Sequence, residues 1–340
     1  MKQLLAYCLS IILCVSFTGC MENYLDLYPE DKITSASFPE NESDIKLLLN
    51  GVYAQLREKE VYNQGLFGFG IKDGATPNAF NWGTDEVFNK LGAGRLSSSD
   101  GGVVTYRWKR CYEIISRANY LLACMDLVDL SEEAKAKYSG ETHFLRGLAY
   151  SVLAETYGGV PIILTDISTE EARSLKRASL EETWQQALDD YEVAITNLGV
   201  DAPEPGRATK GAALGMKMRA YLYQGKYKEV LSCVEQIDAL KKYGLFHSYE
   251  GLFDPANENN KEVLFDIQYI EGENSQGSYI DQYCGTGTGS WTRGSRYVPT
   301  DDLVAAYETI DGSPVDPENP YENRDPRLGF TAVLPGSYFL

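Results

Sequence analysis

The chain has 340 residues, 44% hydrophobic and 24% charged, which supplies material for a sizeable core and length for one large domain or two ordinary ones. With 49 acidic residues against 31 basic, the formal charge of -18 repels a phosphate backbone and anionic headgroups, so general nucleic-acid binding is excluded. Two histidines, His143 and His247, leave little for imidazole catalysis or a multi-histidine metal site, and the composition is not collagen-like, coiled-coil or wholly disordered.

The first residues read Lys2, an apolar stretch from Leu4 to Phe17, then Thr18-Gly19-Cys20, the layout of a secretory signal with a small-residue cleavage site. At roughly 14 residues the apolar run is shorter than the ~20 a spanning helix needs. Cleavage before Cys20 resembles the bacterial lipobox, in which a diacylglycerol is attached to the cysteine thiol, although Phe17 stands where an aliphatic residue is usual. The alternative is an ordinary secreted protein with a cysteine at its cleavage site. Residues 1–19 are therefore expected to be a signal peptide and 20–42, polar and broken by Pro29 and Pro39, a lipid anchor and tether. Cys8 and Cys14 leave with the signal. Cys111, Cys124, Cys233 and Cys284 remain, too few for a disulfide scaffold. Cys111 and Cys124 fall on one expected helix, about 20 Å apart along its axis, and cannot bond each other. Buried free thiols are preferred to a bridge or a metal site.

A first helix is expected from near Ser43, carrying Leu47, Leu48, Val52, Tyr53 and Leu56. Residues 62–102 are dense in Gly, Asn, Asp and Ser with Phe67, Phe69, Phe80, Trp82 and Phe88 interspersed, and a loop segment of that length with aromatics reads as functional. Helical periodicity then returns from Val104 to Met125. A second long helix opens at Ser131 and carries Leu145, Leu148, Ala149, Val152 and Leu153 at i, i+3, i+4, i+7, i+8 spacing before Gly158-Gly159 and Pro161 end it. Ser179-Leu180-Glu181-Glu182 has capping-box spacing and starts a helix to about Leu198. Two more helices, Thr209 to Gln224 and Tyr227 to Lys242, meet at Gly225-Lys226. Beyond Phe253 come a strand-like run Glu262 to Tyr269, a Gly/Ser/Thr-rich loop from Gly272 to Gly294, one helix from Thr300 to Glu308 and a proline-rich tail.

Trp184, Ala187 and Tyr191 occupy tetratricopeptide positions, and Ala220, Tyr221, Gly225 and Tyr227 match the Ala-Tyr-x3-Gly-x-Tyr portion of that unit. Leu188 and Ile195 stand where glycine is preferred, and Lys217 at a usual leucine, so the helices form tetratricopeptide-like pairs rather than a regular array. The expected fold is mainly α: a tetratricopeptide-like helical-repeat scaffold, with its core about 104–243, long irregular loops and minor β.

Six motifs in order then resemble the SusD/RagB nutrient-binding lipoproteins of the Bacteroidetes outer membrane. They are Cys20 with Tyr24-Leu25-Asp26-Leu27-Tyr28-Pro29; Trp108 with Tyr112, Ile115, Ala118 and Asn119; His143 to Tyr150 running into Tyr157-Gly158-Gly159-Val160-Pro161; Ala208 to Ala213; Pro299 to Val304 before Tyr307; and Arg324-Asp325-Pro326-Arg327-Leu328. The resemblance implies one SusD-like α/α superhelix over 43–340 with a loop-built ligand face at about 62–102 and 272–298. It also implies lipid attachment through Cys20 to the outer membrane, oligosaccharide or, in some members, peptide as ligand, a SusC-like TonB-dependent transporter as partner, no cofactor and no chemistry. Family members usually continue well past Leu328, so either a fragment or a fold lacking its C-terminal part, with apolar surface left open, is expected.

Capture of a neutral sugar needs an aromatic ring against its C–H face and hydrogen bonds from Asp, Asn, Arg or Gln to hydroxyls. Trp82 fits best, with Asn78 and Asn81 beside it and Asp73 upstream; the alternative is a loop tryptophan folded onto the core. Trp291 is second, after Tyr283 and a run of glycines and before Arg293. Trp108 and Trp184 lie on helical stripes and belong to the core. His143 reads as a satisfied structural histidine. Asp254, Asn257, Asn259 and Asn260 offer oxygens for Ca²⁺ but lack an EF-hand's spacing, and a solvated loop is preferred. Nucleophile-elbow, zinc-helix and Walker motifs are absent. Two carboxylates suffice for a lipid-anchored glycoside hydrolase, the alternative function, and a helical adaptor that binds only proteins is a third.

Overall fold

The computed structural model describes residues 38–57, 73–81, 90–97, 99–269 and 297–336. Nine helices among these residues concern the fold: α1 (Glu42–Tyr53), α2 (Val103–Cys124), α3 (Glu132–Tyr157), α4 (Thr169–Ser174), α5 (Leu180–Asn197), α6 (Lys210–Tyr223), α7 (Tyr227–Ala239), α8 (Asp301–Ala306) and α9 (Arg327–Thr331). Two three-residue strands, β1 (Ala79–Asn81) and β2 (Tyr297–Pro299), complete the set.

Side chains just outside the helices set where they begin. Asn41 accepts from Ser43 and Asp44 N–H at the start of α1, and Asp44 reaches back in a capping box; Ser168 with Glu171 and Ser179 with Glu182 repeat that box at α4 and α5. Ser131, Thr209 and Thr300 cap α3, α6 and α8 by accepting from the N3 backbone. Each cap satisfies a donor the helix itself cannot, worth about 1 kcal/mol.

Each long helix packs on its neighbour in sequence, α2 on α3, α3 on α5, α5 on α6 and α6 on α7, while α1 closes over α2 and α3. This nearest-neighbour order is that of a solenoid. The core follows the periodic stripes: Ile45, Leu49 and Val52 of α1, Ile114, Ile115 and Leu121 of α2, Leu145, Leu148, Ala149 and Leu153 of α3, and Ala187, Leu188, Tyr191 and Ala194 of α5 are all buried. Burial of each large aliphatic or aromatic side chain contributes about 1.5–3 kcal/mol. Because α3 lies between α2 and α5, it is buried on nearly every side from Tyr138 to Ala154. Trp184 is 6% exposed, and Trp108 stacks 5.1 Å from Tyr112 and 5.2 Å from Tyr157, so both helical tryptophans serve the core. Cys111, Cys124 and Cys233 are buried and in no disulfide; Cys284 lies outside the described residues.

The departures from the repeat pattern are accommodated locally. Leu188, in place of glycine, is 3% exposed in the α5 stripe, and Lys217, in place of leucine, is buried with its ammonium on Glu192. Two expectations need correction. The run 262–269 is irregular, with a turn at 262 and a bend at 264, and joins no sheet among the described residues. Its apolar side chains are used against helices instead, Phe265 packing edge-on to Phe144 at 4.9 Å. The last repeat helix stops at Ala239 rather than Lys242, because Lys241 takes a left-handed backbone (φ 54°) just past the cap, which ends the α-helical ladder.

Candidate ligand-binding site

The two segments singled out by their aromatics are joined where the middle of the first meets the end of the second. Strands β1 and β2 pair antiparallel with Ala79 opposite Pro299, Phe80 opposite Val298 and Asn81 opposite Tyr297. The ribbon continues one residue further, where Thr300 N–H donates to the Asn78 carbonyl at 3.1 Å, and the Thr300 hydroxyl donates to the Pro77 carbonyl while it caps α8. Thus α8 is fastened to the first segment, across 223 residues of sequence. On the β1 side, Thr76 donates its hydroxyl to the Asp73 carbonyl at 2.8 Å and accepts from Asn78 N–H at 3.1 Å, which folds 73–78 into a tight turn.

Of the residues selected from the sequence, Asp73 and Asn78 are exposed in that turn, and Asn81 contributes its backbone to the ribbon. Trp82 follows Asn81 directly in sequence, and Tyr283, Trp291 and Arg293 precede Tyr297; these four, with Cys20, lie outside the described residues. Sequence reasoning passed over Phe80, whose ring is 52% exposed in the middle of β1. Three residues are too few for a strand period to reveal it.

Behind the ribbon, the charged groups of the helical body are committed to structure. Asp190 of α5 is almost fully buried and accepts from Arg146 of α3, Nε on Oδ2 at 3.1 Å and Nη2 on Oδ1 at 2.7 Å, while His143 Nδ1 lies 2.7 Å from the same Oδ1. Arg146 Nη1 donates to Asn119 Oδ1 at 2.8 Å, and the Asn119 amide in turn donates to the carbonyls of Ile163 and Thr165. One network therefore ties α2, α3, α5 and the strap 158–166 together, and His143 is a satisfied structural side chain. Tyr150 adds a reciprocal pair with the same strap, donating to Ile163 C=O at 2.9 Å and accepting from Ile163 N–H at 2.7 Å; burial pushes its phenol up to about 12.

A second buried group joins α1 to α3. Tyr53 donates to Glu141 Oε2 at 2.8 Å and accepts from Ala208 N–H, and the Arg207 guanidinium lies 4.9 Å above the Tyr53 ring. Burial raises the Glu141 carboxyl above the usual carboxylate range, against the pull of Tyr53 and Arg207. In the loop once considered for Ca²⁺, the Asp254 carboxylate accepts from Ala256 N–H at 2.8 Å, and the Asn257 and Asn260 amides donate to nearby carbonyls. Among the described residues no three His, Cys, Asp or Glu side chains converge as a metal site.

Residues 23–222 match the family model described as "Starch-binding associating with outer membrane", and residues 261–340 match the one described as "SusD family". A SusD-like protein of Formosa agariphila is 26% identical over 88% of this chain and 58% of its own length. A SusD-like protein of Bacteroides ovatus is 23% identical over 75% of this chain and 48% of its own. Among solved structures, a SusD-like carbohydrate binding protein from Bacteroides fragilis superposes with a TM-score of 0.75 at 28% identity, covering 85% of this chain and 59% of that one. This chain therefore spans between about half and three-fifths of the length of these relatives. With matches to the family over more than half its length and the same helical frame, the chain belongs to the SusD family.

Proposed function

We propose that the protein is a non-catalytic, cell-surface glycan-binding lipoprotein that captures oligosaccharide and passes it to a SusC-like TonB-dependent outer-membrane transporter. The observation that carries this reading is the β1–β2 ribbon, which pairs the middle of the first aromatic-bearing segment with the end of the second on a frame whose relative is a carbohydrate-binding protein. In this reading Trp82, Trp291 and Tyr283 supply stacking rings, and Asp73, Asn78, Asn81 and Arg293 supply donors and acceptors to hydroxyls; Phe80 joins them as an exposed ring on the ribbon. Residues 1–19 are removed as a signal, the Cys20 thiol carries the lipid, 20–42 act as tether, and 43–340 form one SusD-like body. Acyl chains bury methylenes at ~0.8 kcal/mol each, enough in combination to hold such a body on the outer membrane.

The test is affinity electrophoresis in native gels containing neutral polysaccharides. The wild type is expected to be retarded by at least one of them, with Trp82→Ala and Trp291→Ala each restoring mobility, and no new reducing ends should appear on incubation. Unretarded wild type would overturn glycan capture, and release of reducing ends would assign a hydrolase instead. Labelled palmitate should enter the wild type and not Cys20→Ala.

A further inference from the structure

Away from the ribbon, two adjoining clefts of about 190 and 310 Å³ flank the loop 201–207 and share Pro205, Gly206, Arg207, Phe265 and Asp266 as their common wall. We infer that this double cleft is a second saccharide-binding site, a contact for another stretch of the glycan held at the loop face; the inference rests on the function proposed above.

The wall is built to keep its shape. Arg207 is held by the Asn50 side chain at 2.5 Å, by Glu141 and by the Tyr53 ring, and its side chain is 11% exposed. Gly206 has φ 79°, and a Cβ there would meet Gln268 Cγ at 2.9 Å, so the loop approaches the opposite wall at the one residue without a side chain. Phe265 is fixed against Phe144, and the Tyr243 hydroxyl against Thr209 at 3.1 Å. Little ordering is left to be done on binding, which favours a weakly interacting neutral ligand.

The chemistry of the lining fits a polyhydroxylated neutral molecule. In a chain of formal charge -18, the cations Arg57, Arg207, Lys242 and Lys261 balance Asp201, Glu204 and Asp266 around the two clefts. Planar polar side chains alternate donors and acceptors along the rim: Gln268 Nε2 donates to Asp266 at 2.6 Å and to Asn259 Oδ1 at 3.3 Å, and Lys242 Nζ bridges the Val200 carbonyl and Asp201 at 2.9 Å each. Among the described residues Lys261 forms no ion pair, so its ammonium is available to a hydroxyl. A sugar hydroxyl both donates and accepts, and such a mixed rim with Phe265 and Tyr243 among its lining suits it where a lipid tail would be mismatched. The two volumes together lie within the range of small-molecule sites.

The probes are maltoheptaose and laminarihexaose for titration, and their parent polysaccharides for gel retardation. Four forms are compared: wild type, Trp82→Ala/Trp291→Ala, Asn259→Ala/Asp266→Ala, and all four substitutions together. The cleft variant is expected to keep its affinity for short oligosaccharide within about twofold but to lose roughly tenfold or more of its apparent affinity for long polysaccharide, because one of two linked contacts is gone. The tryptophan variant should retain weak oligosaccharide binding that disappears in the fourfold variant. Hydrogen exchange of the wild type gives a second readout that needs no substitution, with slowed exchange in 201–207 and 259–268 when a binding probe is added. If the wild type binds while the cleft variant matches it on polysaccharide and exchange in both segments is unchanged, the inference fails and the loop-face function stands. If no form binds either probe, both fail.

Discussion

Replacing Asp190 with alanine tests the network that fixes α2, α3 and α5. Its side chain is 2% exposed and receives two nitrogens of Arg146, which is itself 6% exposed. Removing the carboxylate leaves a guanidinium in the interior with only the Asn119 oxygen and the His143 ring nitrogen, 3.3 Å away, beside it, and a buried charge stripped of its counter-ion costs about 3–5 kcal/mol. At roughly 2–4 °C per kcal/mol for a chain somewhat smaller than this one, melting followed by circular dichroism should fall by about 6–20 °C. The companion variant Arg146→Met/Asp190→Leu removes both charges. It should lose only about 1–3 kcal/mol, mostly for the Asn119 oxygen left without its donor. Urea denaturation of Arg146→Met, Asp190→Leu and the double gives the coupling directly. A loss below about 1 kcal/mol for Asp190→Ala, or a double variant as unstable as the sum of its singles, would refute the assignment of this network as the clamp.

Two further outcomes follow from local geometry. A Cβ at Gly159 would lie 2.1 Å from the Ala178 carbonyl oxygen, a backbone atom that cannot turn aside, so Gly159→Ala should destabilise by about 1–3 kcal/mol or more and lower the yield of folded protein; a wild-type urea midpoint would contradict the close approach of strap and α5 entry. The half-buried Asp325 carboxyl is held down at about 2 by the Arg327 guanidinium. Because its folded value lies below the unfolded one, its contribution is complete above about pH 4 and is lost as the pH falls towards 2, so Asp325→Asn should flatten that acid limb of the urea midpoint, and parallel limbs would contradict it.

Much of the frame was legible because it obeys local rules. The i, i+3, i+4 stripe of α3, the Ser179–Glu182 box of α5 and the cap at Thr209 are written in adjacent residues, and the helices begin where those signals stand. The β1–β2 ribbon was not legible, since two strands of three residues far apart in sequence carry no period and are paired only once the helices place them. The run 262–269 misled because alternation marks any segment with one apolar side; here that side meets helices and the backbone finds no neighbouring strand among the described residues. Arg146 directly follows the stripe residue Leu145, but its partner Asp190 sits 44 residues away on another helix, and only packing joins them.

The most direct test of glycan capture by the two loops is acrylamide quenching of tryptophan emission with and without a polysaccharide that retards the protein. Trp108 and Trp184 are packed in the helical body and give a constant background, so added glycan should lower the quenching constant of the wild type and leave that of Trp82→Phe/Trp291→Phe unchanged. Equal protection in both proteins would place the bound sugar away from the loop tryptophans and contradict the proposed site.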